Sequence, residues 1–182
     1  FLGLGLGLLA GYRGGWVDSL IMRIADVQLS FPAILVALLI FGVFKGVVPP
    51  ALHDKAAIYV LILAIGLSDW VQYARTVRSS TLAERNKEYV QAARVIGVPA
   101  PTILLRHILP NVMGPVLVIA TIGLALAIIL ESTLSFLGVG VPPTQPSLGT
   151  LIRVGQDYLF SGEWWIVLFP GLTLLLLALS VN

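Results

Sequence analysis

Three carboxylates that lie within or beside long apolar runs are the residues of this sequence most able to do chemistry. Asp26 and Asp69 fall inside such runs, and Glu131 ends another one. An ionisable group in an apolar environment is costly, so each of them is a functional hypothesis. Asp26 with Asp69 is the only catalytic dyad that the sequence offers, and no supporting motif accompanies it.

Two of the three carboxylates have a structural explanation. Asp26 follows Arg23 by about one helical turn, a spacing that favours an ion pair within one helix. Asp69 is followed on the same predicted helix by Arg75 and Arg78, which we expect to lie within its reach. We therefore favour a structural role for both aspartates.

Glu131 is open to two readings that the sequence does not separate. It stands where a charge-free apolar run ends, and Ser132, Thr133 and Ser135 follow it. Together they could form the outer mouth or gate of a path. Glu131 could equally be a solvated carboxylate of a loop.

Several classes of chemistry lack their residues. The chain has no cysteine, and its two histidines, His53 and His107, lie in different predicted loops. A disulfide, a cysteine-ligated zinc site and a histidine triad are therefore not predicted. No phosphate-binding Gly-x-x-x-x-Gly-Lys-Ser/Thr loop and no Gly-x-Ser-x-Gly or His-Glu-x-x-His motif occurs.

The composition is that of a membrane protein. Of the 182 residues, 58% are hydrophobic and 11% are charged, and the mean hydropathy is +0.97. Soluble proteins carry about 25% charged residues. The net charge of +2 is small and the basic residues are not clustered, so a nucleic-acid partner is not predicted.

The apolar runs predict an all-α polytopic membrane protein, because backbone in lipid must satisfy its own hydrogen bonds. A helix needs about 20 residues to span a bilayer. Five candidate spans are Phe1 to Tyr12, Leu20 to Phe44, Ile58 to Ala74 with an extension to Thr81, Val112 to Leu130, and Trp164 to Val181. The first and last begin or end within apolar sequence, so we expect residues 1–182 to be one transmembrane domain truncated at both ends.

The loops between the spans differ in positive charge, which indicates orientation. One side carries most of the basic residues: Arg13, Arg75, Arg78, Arg85, Lys87, Arg94 and Arg106. We therefore predict that segment 75–110 is cytoplasmic and that segments 45–57 and 131–163 are external. Within the longer external loop, residues 147–160 could hold a short interfacial helix, and Trp164 and Trp165 suit an interfacial anchor.

The cytoplasmic segment contains a short amphipathic pattern over residues 84–97. One predicted face is apolar, with Tyr89, Ala92, Ala93 and Ile96 at helical spacing, and Gly97 suits a C-terminal cap. The other face carries the polar and charged residues Glu84, Lys87, Glu88, Gln91 and Arg94. By itself this pattern also fits an ordinary interfacial helix.

The segment Glu88 to Gly97, with Arg106 to Asn111 after it, resembles the cytoplasmic EAA loop of inner-membrane permease subunits of binding-protein-dependent ABC importers. The resemblance extends over nearly the whole chain. Ala10 to Asp18, Met22 to Val27 and Ser30 to Pro32 resemble the second and third helices of the dipeptide, oligopeptide and nickel class. Glu131 to Gly140, Pro142-Pro143 and Pro146 to Gly149 are similar to the segment after that class's fifth helix. Together they point to the second, C-type permease of the pair.

This resemblance implies a type I ABC importer permease fold of about six helices, of which five are present here. It implies that 84–97 is a coupling helix, and that Glu84, Lys87, Glu88, Gln91, Ala92, Ala93, Arg94 and Gly97 dock an ATPase. The glutamate that names the loop is Gln91 in this chain, so either Glu88 or Gln91 makes that contact. Ser30, Phe31 and Pro32 are pathway candidates on a helix that the family places beside the path; Glu131, Ser132 and Ser135 are the gate candidates.

The implied partners are a homologous second permease, two ATPase subunits, an external substrate-binding protein and the lipid bilayer of a bacterial or archaeal cytoplasmic membrane. ATP and Mg²⁺ would bind the ATPase subunits, and this chain would bind no cofactor or metal and catalyse nothing. A small solute, with a di- or oligopeptide as the first choice, is the implied cargo. The alternative is a self-contained secondary transporter or channel, which would need further intramembrane charges.

Glycines recur every four residues in the first span, at positions 3, 7, 11 and 15. Small residues at this spacing let two helices approach backbone to backbone. We favour packing within the chain over a contact with the second permease.

Overall fold

The computed structural model describes residues 1–142 and 144–181. Pro143, which belongs to the Pro142-Pro143 motif, and Asn182 lie outside the described residues. The described chain is helical, with α1 Leu2–Arg13, α2 Gly15–Leu29, α3 Ala33–Val47, α4 His53–Glu84, α5 Glu88–Val95, α6 Ala100–Thr102, α7 Leu109–Phe136, α8 Leu148–Gln156 and α9 Trp165–Val181. A π-helical turn, Ile103–Ile108, joins α6 to α7. The prediction of an all-α protein is confirmed.

Two helices of the described chain are long and apolar enough to cross a membrane. They are Pro50–Glu84, with 35 residues, and Ala100–Phe136, with 37. A third span results if α2 and α3 are taken as one broken span, and α9 is a shorter apolar helix. Fewer spans than the predicted five therefore meet the length criterion.

The predicted span from Leu20 to Phe44 is not one helix. α2 ends at Leu29 and α3 begins at Ala33, because Pro32 has no N–H and restricts the residue before it. Ser30 Oγ donates to the Asp26 carbonyl at 3.1 Å, which satisfies an acceptor that the ending helix leaves free. The pathway candidates Ser30, Phe31 and Pro32 thus form the exposed break.

The predicted start of the fourth span was also wrong. Helix runs without a break from Ala100 through the π turn into α7, whereas the sequence prediction began at Val112. Pro110 does not interrupt this helix and follows directly on the π turn. The segment that was predicted to be a loop is therefore part of the helix.

The chain divides into two compact units, of which the first comprises Phe1–Phe31 and Asp69–Ala120. In this unit α1 lies directly on α4. A Cβ added at Gly7 would lie 2.6 Å from the Ala74 carbonyl oxygen, and one at Gly11 would lie 2.6 Å from Thr81 Cβ. The glycine spacing therefore serves packing within the chain, as favoured, except that Gly15 begins α2 and meets nothing.

Ion pairs hold α2 on α4 in the first unit, and they are not the predicted ones. Asp26 accepts from Arg75 Nη2 at 2.5 Å, not from Arg23 on its own helix. Arg78 pairs with Asp18, so neither arginine pairs with Asp69. The structural role predicted for Asp26 is confirmed in kind, although a residue far away in the sequence supplies its partner, whereas Asp69 has no ion pair with the described residues.

The second unit comprises Pro32–Ser68 and Thr121–Asn182. Its core contains Phe41 from α3, Leu61 and Ala64 from α4, and Leu134 from α7. A short helix is present within residues 147–160, as predicted, and is α8. α8 packs through its glycines, since a Cβ at Gly155 would lie 2.9 Å from the Ile166 carbonyl carbon of α9.

Candidate functional site

The helix α5 begins and ends on strong local signals. Lys87 is extended at its N-cap, Glu88 lies in the first turn and Arg94 in the last, as the helix dipole favours. Gly97 has φ +81. The Val98 N–H donates to Ala93 O at 3.0 Å and the Gly97 N–H to Arg94 O at 3.1 Å, which is a Schellman motif. The predicted role of Gly97 as a cap is confirmed.

The predicted extent of this helix was too long. The coupling helix was placed over 84–97, but α5 covers Glu88–Val95, and Glu84 is the last residue of α4. The residues between them form a turn in which the Lys87 N–H donates to the Glu84 carbonyl at 3.1 Å. Glu84 and Lys87 thus belong to the support of α5 rather than to its surface.

The predicted apolar face of α5 was right for Ala93 but wrong for Ala92 and Ile96. Val90 and Ala93 are the buried residues of the helix, whereas Ala92 is exposed and Ile96 is 78% exposed. Val90 and Ala93 join a core cluster with Ile103 and Ile108 of the π turn. The buried face of α5 is therefore determined by the residues that pack against it, Ile103 and Ile108.

The π turn explains how Ile103 and Ile108 both reach this core. Residues five apart in an α-helix point about 140° away from each other. In a π turn the i to i+5 hydrogen bond brings residues five apart onto one side. Both isoleucines are fully buried, so the widened turn builds the seat of α5.

A polar cluster fixes the start of α5 to the helices on both sides of it. The Tyr89 hydroxyl donates to Glu84 Oε2 at 2.6 Å, and Lys87 Nζ lies 2.6 Å from Glu84 Oε1. Asn111 Nδ2 donates to the Tyr89 hydroxyl at 3.2 Å and to the His107 carbonyl at 2.7 Å. Burial and the neighbouring Glu84 carboxylate raise the pKa of Tyr89 to about 12, so the phenol stays a donor well into the alkaline range.

The predicted docking residues therefore divide into those whose side chains make contacts within the chain and those whose side chains stay exposed. Glu84, Lys87 and Ala93 are used within the chain, and the Gln91 amide donates to the Asn86 carbonyl at 3.0 Å. Arg94 lies over the Tyr12 ring, 5.0 Å from its centroid. Glu88 is exposed and has no hydrogen bond or ion pair with residues 1–142 or 144–181.

The outer surface of α5 combines this free carboxylate with exposed apolar side chains. Beside Glu88 lie Ala92, Val95 and Ile96, of which Val95 is 87% exposed. We call these four residues the α5 outer patch. Sequence reasoning missed Val95, Val90, Ile103 and Asn111, and only Asn111 had a signal, as the last residue of the Arg106 to Asn111 motif.

The gate candidates form a second polar cluster, in the second unit. Glu131 accepts hydrogen bonds from Ser135 Oγ at 2.7 Å, Ser147 Oγ at 2.8 Å and Ser132 Oγ at 3.2 Å. Ser147 is the N-cap residue of α8. The cluster thus fastens α8 to the end of α7, and Glu131 is not the free solvated carboxylate of the second reading.

Comparison with known proteins agrees with these features. Residues 3–182 match the family model described as the binding-protein-dependent transport system inner membrane component. A Brucella suis protein, provisionally named a peptide transport system permease protein, is 40% identical over 180 residues, which cover 97% of this chain and 57% of the relative. The dipeptide transport system permease protein DppC of Alkalihalophilus pseudofirmus is 36% identical over 180 residues, covering 99% of this chain and 56% of that protein.

A third relative, the di/tripeptide transport system permease protein DppC of Pseudomonas aeruginosa, is 36% identical, again over 99% of this chain and 56% of its own length. The chain thus spans a little over half the length of the curated relatives that it matches. The family model, in contrast, matches nearly every residue of the chain. With its helical architecture and apolar spans, the chain belongs to the family of inner membrane components of binding-protein-dependent transport systems.

Proposed function

We propose that this chain is the membrane-spanning permease subunit of an ATP-driven importer and that the α5 outer patch is where an ATPase subunit docks. The observation that carries the proposal is the mounting of α5. The helix is tied to the end of α4 through Glu84 and to the start of α7 through Asn111 and the isoleucines of the π turn. The side chains of its outer patch are exposed.

Held in this way, α5 can act as a lever that transmits motion of the ATPase subunits to α4 and α7. ATP and Mg²⁺ bind the separate ATPase subunits, and closure of the ATPase pair pushes on α5. Because α5 is joined to both long helices, its displacement moves α4 and α7 together, and the path opens on the outer side. Coupling requires that the ATPase contacts α5 differently in the two states. ATP hydrolysis returns the chain to its first state.

The exposed carboxylate is the charged docking group in this proposal. Gln91, at the position of the family's glutamate, uses its amide on Asn86, whereas Glu88 has no partner within the described chain. Glu88 therefore replaces that glutamate one turn earlier, and a cation on the ATPase pairs with it. Ala92 allows close approach between the two surfaces, and Val95 and Ile96 supply the apolar contact.

Several further assignments belong to the same proposal. Segment 75–110 faces the cytoplasm, and segments 45–57 and 131–163 face outward. A homologous second permease completes the path, and an external binding protein delivers the cargo, for which the names of the relatives favour a di- or tripeptide. The break at Ser30, Phe31 and Pro32 is the pathway candidate of this chain, because it is exposed and non-helical.

Co-purification of the full-length permease with its ATPase tests the docking surface. We expect Ala92→Glu to lower ATPase recovery by more than about tenfold, because it replaces the small residue at the point of close approach with a long charged one, and an unpaired charge buried in an interface costs several kcal/mol. Ala51→Glu is the matched control, since Ala51 is also exposed but lies in the predicted external segment. Ala93→Glu is unsuitable, because Ala93 is buried in the core and the substitution would disturb folding.

Transport-coupled ATP hydrolysis in proteoliposomes gives the second readout. Glu88→Lys should uncouple hydrolysis from transport, and charge reversal at Arg94 should act in the same direction. Normal ATPase recovery and coupling in Ala92→Glu would refute the docking surface. If the folded wild-type protein recovers no ATPase at all, a self-contained transporter becomes the better account.

A further inference from the structure

The helix α1 has two faces of opposite character. Gly3, Gly7 and Gly11 lie against α4, where an added Cβ would collide with α4 atoms. Gly5 points the other way, and a Cβ built on it meets no atom within 4 Å. The absence of a side chain at Gly5 is therefore not required by packing within the described residues, and it leaves space beside the helix.

That space is a cavity of about 510 Å³ between α1 and the helical start at residues 100–105. Leu9 of α1 and Leu104 and Leu105 of the π turn supply apolar lining, and no carboxylate lines the cavity. Leu105 is 60% exposed, so the cavity is bordered by apolar surface that faces away from the unit. The volume is within the range of about 300–1,000 Å³ typical of small-ligand sites.

Positive charge is confined to one end of this cavity. Arg13 lines it and is exposed, and its side chain has no hydrogen bond or ion pair with any residue of 1–142 or 144–181. Arg94 adds a second guanidinium close by, since it stacks on Tyr12, which also lines the cavity. Along α1 the order is therefore open space at Gly5, apolar Leu9, then Arg13, over about 12 Å at 1.5 Å per residue.

We propose that this cavity binds an anionic phospholipid of the cytoplasmic leaflet, with an acyl chain beside Gly5 and Leu9 and the phosphate on Arg13. The order of groups along α1 is the order in such a lipid, and the cationic end lies on the predicted cytoplasmic side. Basic pockets between transmembrane helices are known to take anionic headgroups. The proposal rests on the orientation given above but not on import, since the chain can retain a lipid without an ATPase.

Native mass spectrometry of the full-length permease, released from nanodiscs that contain equal amounts of phosphatidylglycerol and phosphatidylcholine, tests the site. We expect the wild-type protein to retain phosphatidylglycerol preferentially. Arg13→Gln should lower the retained phosphatidylglycerol about tenfold, because a charge-assisted hydrogen bond to a phosphate is lost. Gly5→Leu should reduce retention of both lipids, because its side chain occupies the space of the acyl chain.

Two matched variants control for charge and for bulk. Arg106→Gln removes an exposed guanidinium from the same predicted side without touching the cavity, and Gly42→Leu adds the same side chain at another glycine whose Cβ position is open. Both should retain lipid as the wild-type protein does. Thermal unfolding in the same nanodiscs shows which variants are folded. If Gly5→Leu does not fold, Arg13→Gln alone tests the site.

Three results would overturn the proposal. Equal retention of the two lipids would show that the site does not recognise the negative charge of the headgroup. An Arg13→Gln protein that retains phosphatidylglycerol like Arg106→Gln would place the lipid elsewhere. A folded wild-type protein that retains no lipid would mean that another part of the full-length chain, or a partner subunit, occupies the cavity. None of these results bears on ATPase docking, so this proposal can fail while the importer assignment stands.

Discussion

The short helices α5 and α8 are both fastened to a glutamate in the last turns of a long helix, yet they are held in different ways. Glu84 of α4 binds Lys87 at the N-cap of α5 and Tyr89 within α5. Glu131 of α7 instead binds three serine hydroxyls, one of them from the N-cap residue of α8. The buried residues of α5 are Val90 and Ala93, so this helix packs through side chains. The buried residues of α8 are Gly149 and Gly155, so this helix packs through its backbone.

This difference determines how each helix can move. Contact through side chains leaves α5 more room for small adjustments while it stays joined to α4 and α7, because packed side chains shift more easily than packed backbone. Backbone contact through glycines leaves α8 almost no freedom, since neither surface has a part that can yield. The comparison therefore identifies α5 as the movable helix and α8 as the fixed one, and the following substitutions test it in order of decreasing effect.

The largest effect is expected at Gly149. A Cβ there would overlap the backbone of Ser132, so Gly149→Val should displace α8 and destabilise its docking by about 3 kcal/mol. Hydrogen–deuterium exchange over residues 148–156 of the full-length protein in nanodiscs measures this. Gly42→Val is the control, because a Cβ at Gly42 meets nothing. Unchanged protection in Gly149→Val would contradict the backbone contact.

The next largest effect is expected at the two polar clusters, one around Glu84 and the other around Glu131. Tyr89→Phe leaves Glu84 without one donor and Asn111 without one acceptor, and it should lower the opening free energy of α5 by about 1.5–3 kcal/mol. Ser147→Ala removes one of three hydroxyls from Glu131, so its effect on α8 should be smaller, about 1 kcal/mol. Exchange rates of the two helices, each measured in both variants, give the comparison. A larger effect of Ser147→Ala would reverse the ranking of the two anchors.

The two glycine caps come third. Gly97 and Gly138 have φ +81 and +78, so alanine at either position should cost about 1–2 kcal/mol for the left-handed backbone. Gly97→Ala should cost only that, because nothing lies near its Cβ. Gly138→Ala must also displace the Arg153 guanidinium, and we expect it to lower the thermal unfolding temperature further. Equal shifts would show that Arg153 yields freely.

The smallest effect is expected at Lys87, whose ion pair with Glu84 is 55% exposed on the lysine side. Lys87→Gln should change the opening free energy of α5 by less than about 1 kcal/mol, because exposed ion pairs contribute little. Raising the salt concentration should reduce the difference from wild type further. A salt-independent loss larger than that of Tyr89→Phe would make the lysine, not the phenol, the anchor of α5.

The sequence predicted what depends on local pattern. The helical class, the apolar course of α4 and α7, the Gly97 cap and the helix within 147–160 all follow from periodicity and glycine. The family loop was recognisable because its residues are spaced along one short segment. These features need no knowledge of what packs against them.

The rest depended on distant partners. Asp26 pairs with Arg75, which is 49 positions away, and the nearer Arg23 competes with it in any argument from spacing. The buried face of α5 is set by Ile103 and Ile108, and two apolar patterns, one with Val90 and one with Ala92, fit the same eight residues. The π turn has no local sequence signal, so the face that it selects could not be foreseen.

The π turn at Ile103–Ile108 also has a consequence for insertions and deletions. A π turn amounts to one additional residue within an α-helix, so deleting one residue from this turn could restore regular helix and leave the rest of α7 in phase. Ile103 and Ile108 would then lie four positions apart in a regular helix, which keeps both on one side. A single-residue deletion between these isoleucines should therefore leave both the seat of α5 and the span in place, whereas a deletion elsewhere in α7 would rotate every residue beyond it by about 100°.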